Sequence, residues 1–341
     1  SLSYQLLEHP IRVSSILDRH RRTVIAVGLA TSVIAAIIII PAITNPATST
    51  AAVAGQDLTT TGFTPVPTGL DWEAIKADFP KLTNCYGKPA TDCTLVHGTG
   101  PHILLIGDSH AGMMIPALTA LANTENLTLS VSTDVSCPWQ RGLYATPHAV
   151  FDKTTSIDEC KTIKNDTYDR VIPELQPDII VTMNFPYEVR SELVPYLGPD
   201  LKVPAPGSSN DFGWQQKATT DSLSELRAGG RKVILIEPTP MKPKFDPLAC
   251  LSRAKVLQEC RYVAATEPTA LEDLYRQLDK QDDDVWSLDL DHLVCPYFPI
   301  CDPIVDHQVT KLDVTHFTRS FVRTLGPSID AYFKQNGIIS T

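Results

Sequence analysis

Short apolar runs alternate with amphipathic stretches along the chain from about residue 70 onward. Each run is brief and rich in Ile, Val and Leu, which is typical of a buried strand. Two stretches, Trp214 to Ala228 and Ala270 to Leu278, place apolar residues at helical spacing. Strands that alternate with helices predict an α/β fold, a three-layer sandwich around a mainly parallel sheet. The predicted strands are "HILLIG", "LTLSVS", "DIIVTMN", "RKVILIE" and "VWSLDL".

A longer apolar run lies near the N-terminus. From Val24 to Ile43 the chain reads "VIAVGLATSVIAAIIIIPAI", which carries no charge and is long enough to cross about 30 Å of hydrocarbon. It predicts one transmembrane helix over residues 23–43. A signal peptide is the alternative, but its apolar region is shorter and lies close to an initiator Met. The basic cluster from Arg19 to Arg22 precedes the run, so residues 1–22 are expected in the cytoplasm.

The chain after this helix is then expected outside the membrane, in two parts. Residues 44–69 are rich in Thr, Ala and Pro and nearly free of charge, which predicts an extended linker. Residues 70–341 are expected to form one domain, since a chain of 341 residues with 43% hydrophobic content can bury a full core. The formal net charge of −10 argues against a nucleic-acid partner, whose phosphates need clustered Lys and Arg.

The cysteines agree with an outside location. All eight follow the predicted transmembrane helix, and disulfides persist in oxidising compartments. No C-x-x-C spacing occurs, so a zinc site is poorly supported and no metal is expected. Local disulfides between sequence neighbours are the favoured pairing, while other pairings and free buried thiols stay open. The favoured pairs are Cys85 with Cys93, Cys137 with Cys160, Cys250 with Cys260, and Cys295 with Cys301.

Reactive side chains directly follow the first predicted strand. In "ILLIGDSHAGMMIPAL", Asp108, Ser109 and His110 stand between four aliphatic residues and a segment that favours a helix. Ligands of parallel α/β sheets bind beyond the carboxyl ends of the strands, where this stretch belongs. The alternative is that Asp or Ser only caps the following helix.

A partner pair for such a serine lies near the C-terminus. "KLDVTHFTRSF" places Asp313 and His316 three residues apart, just before the last predicted helix. Residues three apart at the start of a helix share one side, so the carboxylate can hold Nδ1 of the imidazole while Nε2 faces the serine. The sequence therefore predicts a nucleophile, Ser109, a general base, His316, and an orienting carboxylate, Asp313.

These motifs resemble those of the SGNH (GDSL-like) hydrolase superfamily. "GDSH" corresponds to its first block and "DVTH" to its last, and the resemblance covers about residues 70–341. It implies a flavodoxin-like sheet order and a serine acyl-enzyme that needs no cofactor. The segment "SYQLLEHPIR", from Ser3 to Arg12, is similar to the end of the membrane acyltransferase 3 family, some members of which continue into an extracytoplasmic SGNH domain. This second resemblance implies that residues 1–22 end a larger membrane part, which lies upstream and delivers the acyl donor.

The superfamily pattern also implies an oxyanion hole. Beside the Ser109 amide, its second block supplies a Gly and its third an Asn. Asn184 in "VTMNFPYE" follows a strand, although it lacks the usual Gly-x-Asn-Asp surroundings, and Gly142 in "CPWQRGLY" is a weaker candidate. The resemblance assigns the oxyanion role to these groups as expectations.

The expected function is extracytoplasmic transfer of an O-acyl group, most simply acetyl, to or from a cell-envelope glycan or glycolipid. One alternative is a non-catalytic domain that binds glycan and positions the acceptor for the membrane part. Another is a metallophosphoesterase, because "D-S-H" after a strand fits the first metal-binding element of that class. Its Gly-Asp and Gly-Asn-His elements have no counterpart in this sequence.

Overall fold

The computed structural model describes residues 63–145, 155–186, 196–198, 212–242 and 244–340. The predicted cytoplasmic segment 1–22, the predicted transmembrane helix 23–43 and most of the predicted linker 44–69 lie outside these residues. Within the described ranges, none of the helices has the length and apolar character needed to cross a bilayer.

A six-stranded sheet forms the centre of the domain. Its strands are β1 (Thr94–Val96), β2 (His102–Gly107), β3 (Thr128–Thr133), β4 (Ile179–Met183), β5 (Lys232–Ile236) and β6 (Val285–Leu288). They lie in the order β1-β3-β2-β4-β5-β6, with β1 antiparallel at one edge and the other five parallel. The five predicted strands are confirmed, and β1 is an additional edge strand. The five parallel strands follow the flavodoxin-like order, in which the chain changes direction across the sheet at β2.

The register shows how the side chains of the central strands reach the two helix layers. Ile103 of β2 lies opposite Leu129 on one side and Ile179 on the other. Successive side chains of a strand point to opposite faces, so Ile103 packs into one helix layer and Leu104 into the other. Both faces are covered, so β2, β4 and β5 are mostly apolar. β3 instead alternates apolar residues with the buried Ser130 and Ser132, whose hydroxyls have side-chain hydrogen-bond partners.

Helices cover both faces of the sheet, as the three-layer prediction requires. In chain order they are α1 (Trp72–Lys76), α2 (Ser109–Met113), α3 (Ile115–Thr124), α4 (Ile157–Asp166), α5 (Ile172–Leu175), α6 (Gly213–Arg227), α7 (Pro247–Leu251), α8 (Ala270–Gln281), α9 (Asp291–Val294), α10 (Arg319–Thr324) and α11 (Gly326–Gln335). One core cluster contains apolar residues of α3, α10 and α11, and another contains those of α6 and α8. A π-helical turn at Thr167–Val171 and 3-10 turns at Ala90–Cys93 and Leu257–Cys260 complete the helical segments of the described ranges.

Short ribbons and disulfides hold the loops around this sandwich. The two-stranded ribbons pair Tyr144–Ala145 with Tyr196–Leu197, Tyr262–Val263 with Ile300–Cys301, and Ile304–Val305 with Gln308–Val309. The eight cysteines form the four disulfides that the sequence order favours: Cys85–Cys93, Cys137–Cys160, Cys250–Cys260 and Cys295–Cys301. Each disulfide closes a short loop, with sequence separations of 6 to 23 residues.

The chain just before the sandwich also packs on it. The amide of Val66 donates to the Lys255 carbonyl at 3.0 Å, and Leu257 donates to the Thr64 carbonyl at 2.8 Å. The carboxylate of Asp78 then accepts from the Arg319 side chain and from the Ser320 amide. These contacts lead residues 63–80 along the domain toward the start of α10.

Candidate active site

The site begins at a sharp turn between β2 and α2. Gly107, the last residue of β2, has φ of 143°. A Cβ atom at this position would lie 2.0 Å from the Met183 carbonyl oxygen of β4. Only glycine fits such a close approach at positive φ without moving a backbone. The turn therefore aims Asp108 and Ser109 out of the carboxyl edge of the sheet, where the strand order changes direction.

Asp108, and not Ser109, caps α2. Asp108 is 1% exposed, and its Oδ1 accepts from the His110 amide at 2.8 Å. Its Oδ2 accepts from the Phe185 amide at 2.9 Å, which ties the segment after β4 to the same turn. The capping role considered for this stretch thus belongs to Asp108, and the Ser109 hydroxyl is left to other partners.

The Ser109 hydroxyl meets the predicted histidine and aspartate. Ser109 Oγ lies 2.8 Å from His316 Nε2, and His316 Nδ1 lies 2.8 Å from Asp313 Oδ2. The serine comes from the end of β2, and the other two residues come from a turn 207 positions away in sequence. An imidazole in this position can accept the hydroxyl proton while the carboxylate holds its tautomer.

The turn that carries Asp313 and His316 is closed by the aspartate itself. Asp313 Oδ1 accepts from the amides of Thr315 and His316, each at 2.7 Å. The two residues were expected on a helix-start turn, but the last helices begin later, at α10, whose cap is Thr318. A side chain of Asp bonds readily to amides two and three residues ahead, so a tight loop brings the pair together as well as a helix would.

Hydrogen bonding keeps Asp313 ionised. Partial burial raises the pKa of this carboxyl, but the hydrogen bonds and charge of His316 and the backbone amides outweigh it. The pKa of Asp313 therefore lies well below its usual value. The side chain is 40% exposed, so the Asp313 side of the site is open to solvent, whereas the His316 side chain is 18% exposed.

Two rings pack beside His316. Phe79 approaches its imidazole edge-on with centroids 5.2 Å apart, and the imidazole of His110 lies 5.0 Å away. His110 is 2% exposed, and neither of its ring nitrogens has a hydrogen-bond partner in the described part of the structure. Burial lowers the pKa of His110 well below its usual value, and His316 and Lys311 lower it further. Sequence reasoning did not assign Phe79 a role, because it precedes the first strand and belongs to no motif.

Asn184 and Gly142, the oxyanion donors predicted beside the Ser109 amide, differ in their hydrogen bonding. Asn184 follows β4 and is 2% exposed; its Oδ1 accepts from Gln140 at 3.1 Å and from the Tyr275 hydroxyl at 3.3 Å. Its Nδ2 donates to the Phe185 carbonyl at 2.7 Å. Gly142 has φ of 77° and sits in a turn. In the described ranges, no hydrogen bond links that turn to Ser109 or His316. The oxyanion roles of Ser109, Asn184 and Gly142 stay predictions.

The bonding of Asp108 bears on the metallophosphoesterase alternative. The described residues contain no cluster of three His, Cys, Asp or Glu side chains that could hold an ion. Both carboxylate oxygens of Asp108 already accept backbone amides. A metallophosphoesterase would need that carboxylate as a metal ligand, so the bonding of Asp108 does not fit this alternative.

Comparison with known families identifies the class. Residues 78–331, more than half of the chain, match the family model described as "SGNH domain (fused to AT3 domains)". The chain belongs to this family, and the family together with the Ser109, His316 and Asp313 constellation defines an SGNH domain of the acyl-ester-active class.

Curated sequences and solved structures add less detail. A comparison with curated proteins gives no match. The periplasmic domain of a lipopolysaccharide acetyltransferase from Salmonella ser. Paratyphi A is similar at 14% identity and a TM-score of 0.49, over 72% of this chain and 87% of that one. A carbohydrate esterase family 2 enzyme with a carbohydrate binding domain, from Corynascus thermopiles (Myceliophthora fergusii), is similar at 11% identity and a TM-score of 0.37. This match covers 70% of this chain and 67% of that one. At these TM-scores the family assignment rests on the sequence match.

Proposed function

We propose that this protein transfers an O-acyl group, most simply acetyl, to or from a cell-envelope glycan or glycolipid through an acyl-enzyme on Ser109. One observation carries the proposal: Ser109 Oγ, the His316 ring and Asp313 Oδ2 are linked by two contacts of 2.8 Å at the carboxyl edge of the sheet. A serine with a histidine base and an orienting carboxylate is the arrangement that acyl transfer needs.

In the first half-reaction, Ser109 Oγ attacks the acyl carbonyl while His316 Nε2 takes the hydroxyl proton. The imidazolium then forms next to Asp313, whose depressed pKa keeps it anionic. Collapse of the tetrahedral intermediate returns the proton from His316 to the leaving oxygen and leaves an ester on Ser109. In the second half-reaction, His316 deprotonates a sugar hydroxyl or water, which attacks that ester. Collapse of the second tetrahedral intermediate breaks the bond to Ser109 Oγ, which takes the proton back from His316.

The developing oxyanion is assigned to the Ser109 amide, with Asn184 and Gly142 as the further proposed donors. Each effective donor lowers the barrier by about 3 to 4 kcal/mol in comparable enzymes. The bonds from Gln140 and Tyr275 to Asn184 Oδ1 support a fixed carboxamide, which is what a preorganised donor requires.

The proposed location is the outer side of the cell membrane. Four disulfides are typical of an oxidising compartment. We further propose that residues 23–43 anchor the domain and that an upstream acyltransferase 3 part presents the acyl donor. The family description, which places such domains in fusion with AT3 domains, supports this arrangement.

A protease experiment tests this topology. Because the basic cluster from Arg19 to Arg22 precedes the proposed membrane helix, protease added to intact cells should cut the chain between Thr48 and Thr61. Immunoblotting with an antibody to the C-terminal domain would detect the released fragment, and an intact cytosolic protein serves as the control. Protection of this segment until the cells are lysed would reverse the proposed orientation.

An esterase assay tests the proposed chemistry. The disulfide-bonded domain is incubated with a chromogenic acetyl ester, with and without a cell-envelope glycan, and both the released chromophore and acetylated glycan are followed. Ser109-dependent chromophore release is expected, with acetyl appearing on the glycan when it is present. Binding of glycan without any chromophore release or acetyl transfer would favour the non-catalytic alternative.

A further inference from the structure

Lys311 is a buried charged residue directly before the Asp313–His316 turn. It is 1% exposed, and its backbone forms an antiparallel bridge with Phe317 on the other side of that turn. The amide of Leu312 also donates to the His316 carbonyl at 3.1 Å. Lys311 and Phe317 thus stand at the two ends of the small loop that holds the proposed base and its carboxylate.

The ammonium of Lys311 links this loop to the segment after β5. Lys311 Nζ donates to the Pro240 carbonyl at 2.8 Å and contacts the Val314 carbonyl, inside the turn, at 3.5 Å. The rings of Phe317 and Tyr262 lie 4.8 and 5.8 Å from the ammonium and replace part of its lost hydration. Two carbonyls and two aromatic rings, from three segments of the chain, therefore surround the Lys311 ammonium next to the turn.

A contribution to folding stability does not explain why the Lys311 ammonium is buried at this position. Burial lowers the pKa of Lys311 to about 7, and the nearby Asp313 raises it only in part. This folded-state pKa lies below the unfolded value of about 10.4, so the unfolded chain holds the proton more tightly. Burial of the ammonium therefore lowers the free energy of unfolding by its full amount below about pH 7. This loss becomes smaller as the pH rises from about 7 to about 10.4. A buried ion that opposes folding can be replaced by an apolar residue without loss of stability.

We propose that Lys311 is a positioning residue, which holds the Asp313–His316 turn against the segment after β5 so that His316 Nε2 stays in line with Ser109. The inference rests on the proposed function, because it assigns Lys311 a role in that reaction. Burial and His316 lower the pKa of His110 most, and the protonated Lys311 adds to this effect, so the ring of His110 beside His316 is kept neutral.

Methionine is the informative replacement at this position. It has a similar length and no charge, and the Pro240 carbonyl keeps the Tyr262 hydroxyl as a donor at 3.1 Å. Lys311→Met is therefore expected to fold with an unchanged or higher Tm. Its kcat on the chromogenic acetyl ester should fall about tenfold to a hundredfold, since misplacement of a catalytic group by about 1 Å can cost about 10²-fold. KM should stay within about twofold, because Lys311 contacts the turn and not the bound ester.

Lys232→Met is the matched control. The Lys232 ammonium also donates to two carbonyls, those of Gly337 at 2.7 Å and Ile338 at 2.9 Å, but it lies at the amino edge of the sheet. The same substitution there should leave kcat per folded molecule unchanged. Full kcat in Lys311→Met would overturn the positioning role, because His316 would then be aligned with Ser109 without the ammonium. Failure of that variant to fold would also overturn it, because Lys311 would then be needed for the fold and not only for alignment.

A spectroscopic measurement keeps this inference separate from the proposed function. The Nδ1 proton that His316 shares with Asp313 is followed by ¹⁵N-edited NMR in the wild type and in Lys311→Met. The positioning role predicts that this resonance is shifted or broadened in the variant and unchanged in Lys232→Met. If the wild type shows no esterase activity, the proposed function fails, while an identical His316 resonance in all three proteins would reject the role of Lys311 by itself.

Discussion

Alanine at Ser109 or at His316 is expected to lower kcat by about 10⁴-fold or more, because each substitution removes a member of a unit that acts together. A loss of this size corresponds to about 5.5 kcal/mol of transition-state stabilisation. The double variant should be hardly worse than either single variant. Asp313→Ala should cost less, since the imidazole can still accept a proton when it is poorly oriented. The measurement is kcat on the chromogenic acetyl ester.

Stability provides the control for this series. Asp108 already caps α2, so Ser109→Ala should leave the Tm nearly unchanged. If Ser109 were needed mainly for the fold, its replacement would lower Tm and leave kcat per folded molecule intact. Ser328→Ala, an exposed serine in the first turn of α11, is the matched variant and should change neither quantity. Full activity of Ser109→Ala would contradict the acyl-enzyme.

Reduction of the four disulfides is expected to unfold the domain. Each bridge contributes about 2 to 4 kcal/mol, so together they match the whole stability of a typical domain, about 5 to 15 kcal/mol. The bridge with the longest loop should matter most. Cys137–Cys160 spans a sequence separation of 23 and Cys295–Cys301 one of 6. Chain entropy then predicts losses of about 3 and about 2 kcal/mol, respectively.

Urea unfolding of paired alanine variants tests the order of these losses. The variant lacking Cys137 and Cys160 should have the lower free energy of unfolding, and the variant lacking Cys295 and Cys301 is its matched comparison. Peptide mapping without reduction should recover the Cys295–Cys301 link. A reduced domain that melts at the same temperature as the oxidised one would show that the disulfides do not carry this stability.

Much of the fold follows from local pattern. Strands β2, β4 and β5 are predicted because burial on both faces makes them mostly apolar, which is visible in runs such as "HILLIG". The edge strand β1 has only three residues and a mixed burial pattern, so its sequence carries no such signal. The cysteine pairing follows from proximity along the chain, because each bridge closes a short loop.

The residue types of the candidate site were also predictable from the sequence. A serine after a buried strand and an Asp-x-x-His motif near the C-terminus are local features, and the direction of a parallel strand determines the edge at which its last residue lies. The sequence alone could not decide whether Asp108 or Ser109 caps α2. That depends on Phe185, which donates to Asp108 from a strand end 77 positions away.

The sequence by itself therefore indicated the α/β class, the core strands, the favoured disulfide pairs and the candidate residues Ser109, Asp313 and His316. Only the tertiary structure decided that the Asp313–His316 pair lies in a tight turn and that Phe79 and His110 pack beside the His316 imidazole. It also decided that the Lys311 ammonium contacts a carbonyl inside that turn. The physical reason is the range of the interactions. Strand burial and short-loop disulfides act between near neighbours in sequence, whereas ring packing and the bonds of a buried cation join segments that meet only after the sheet has formed.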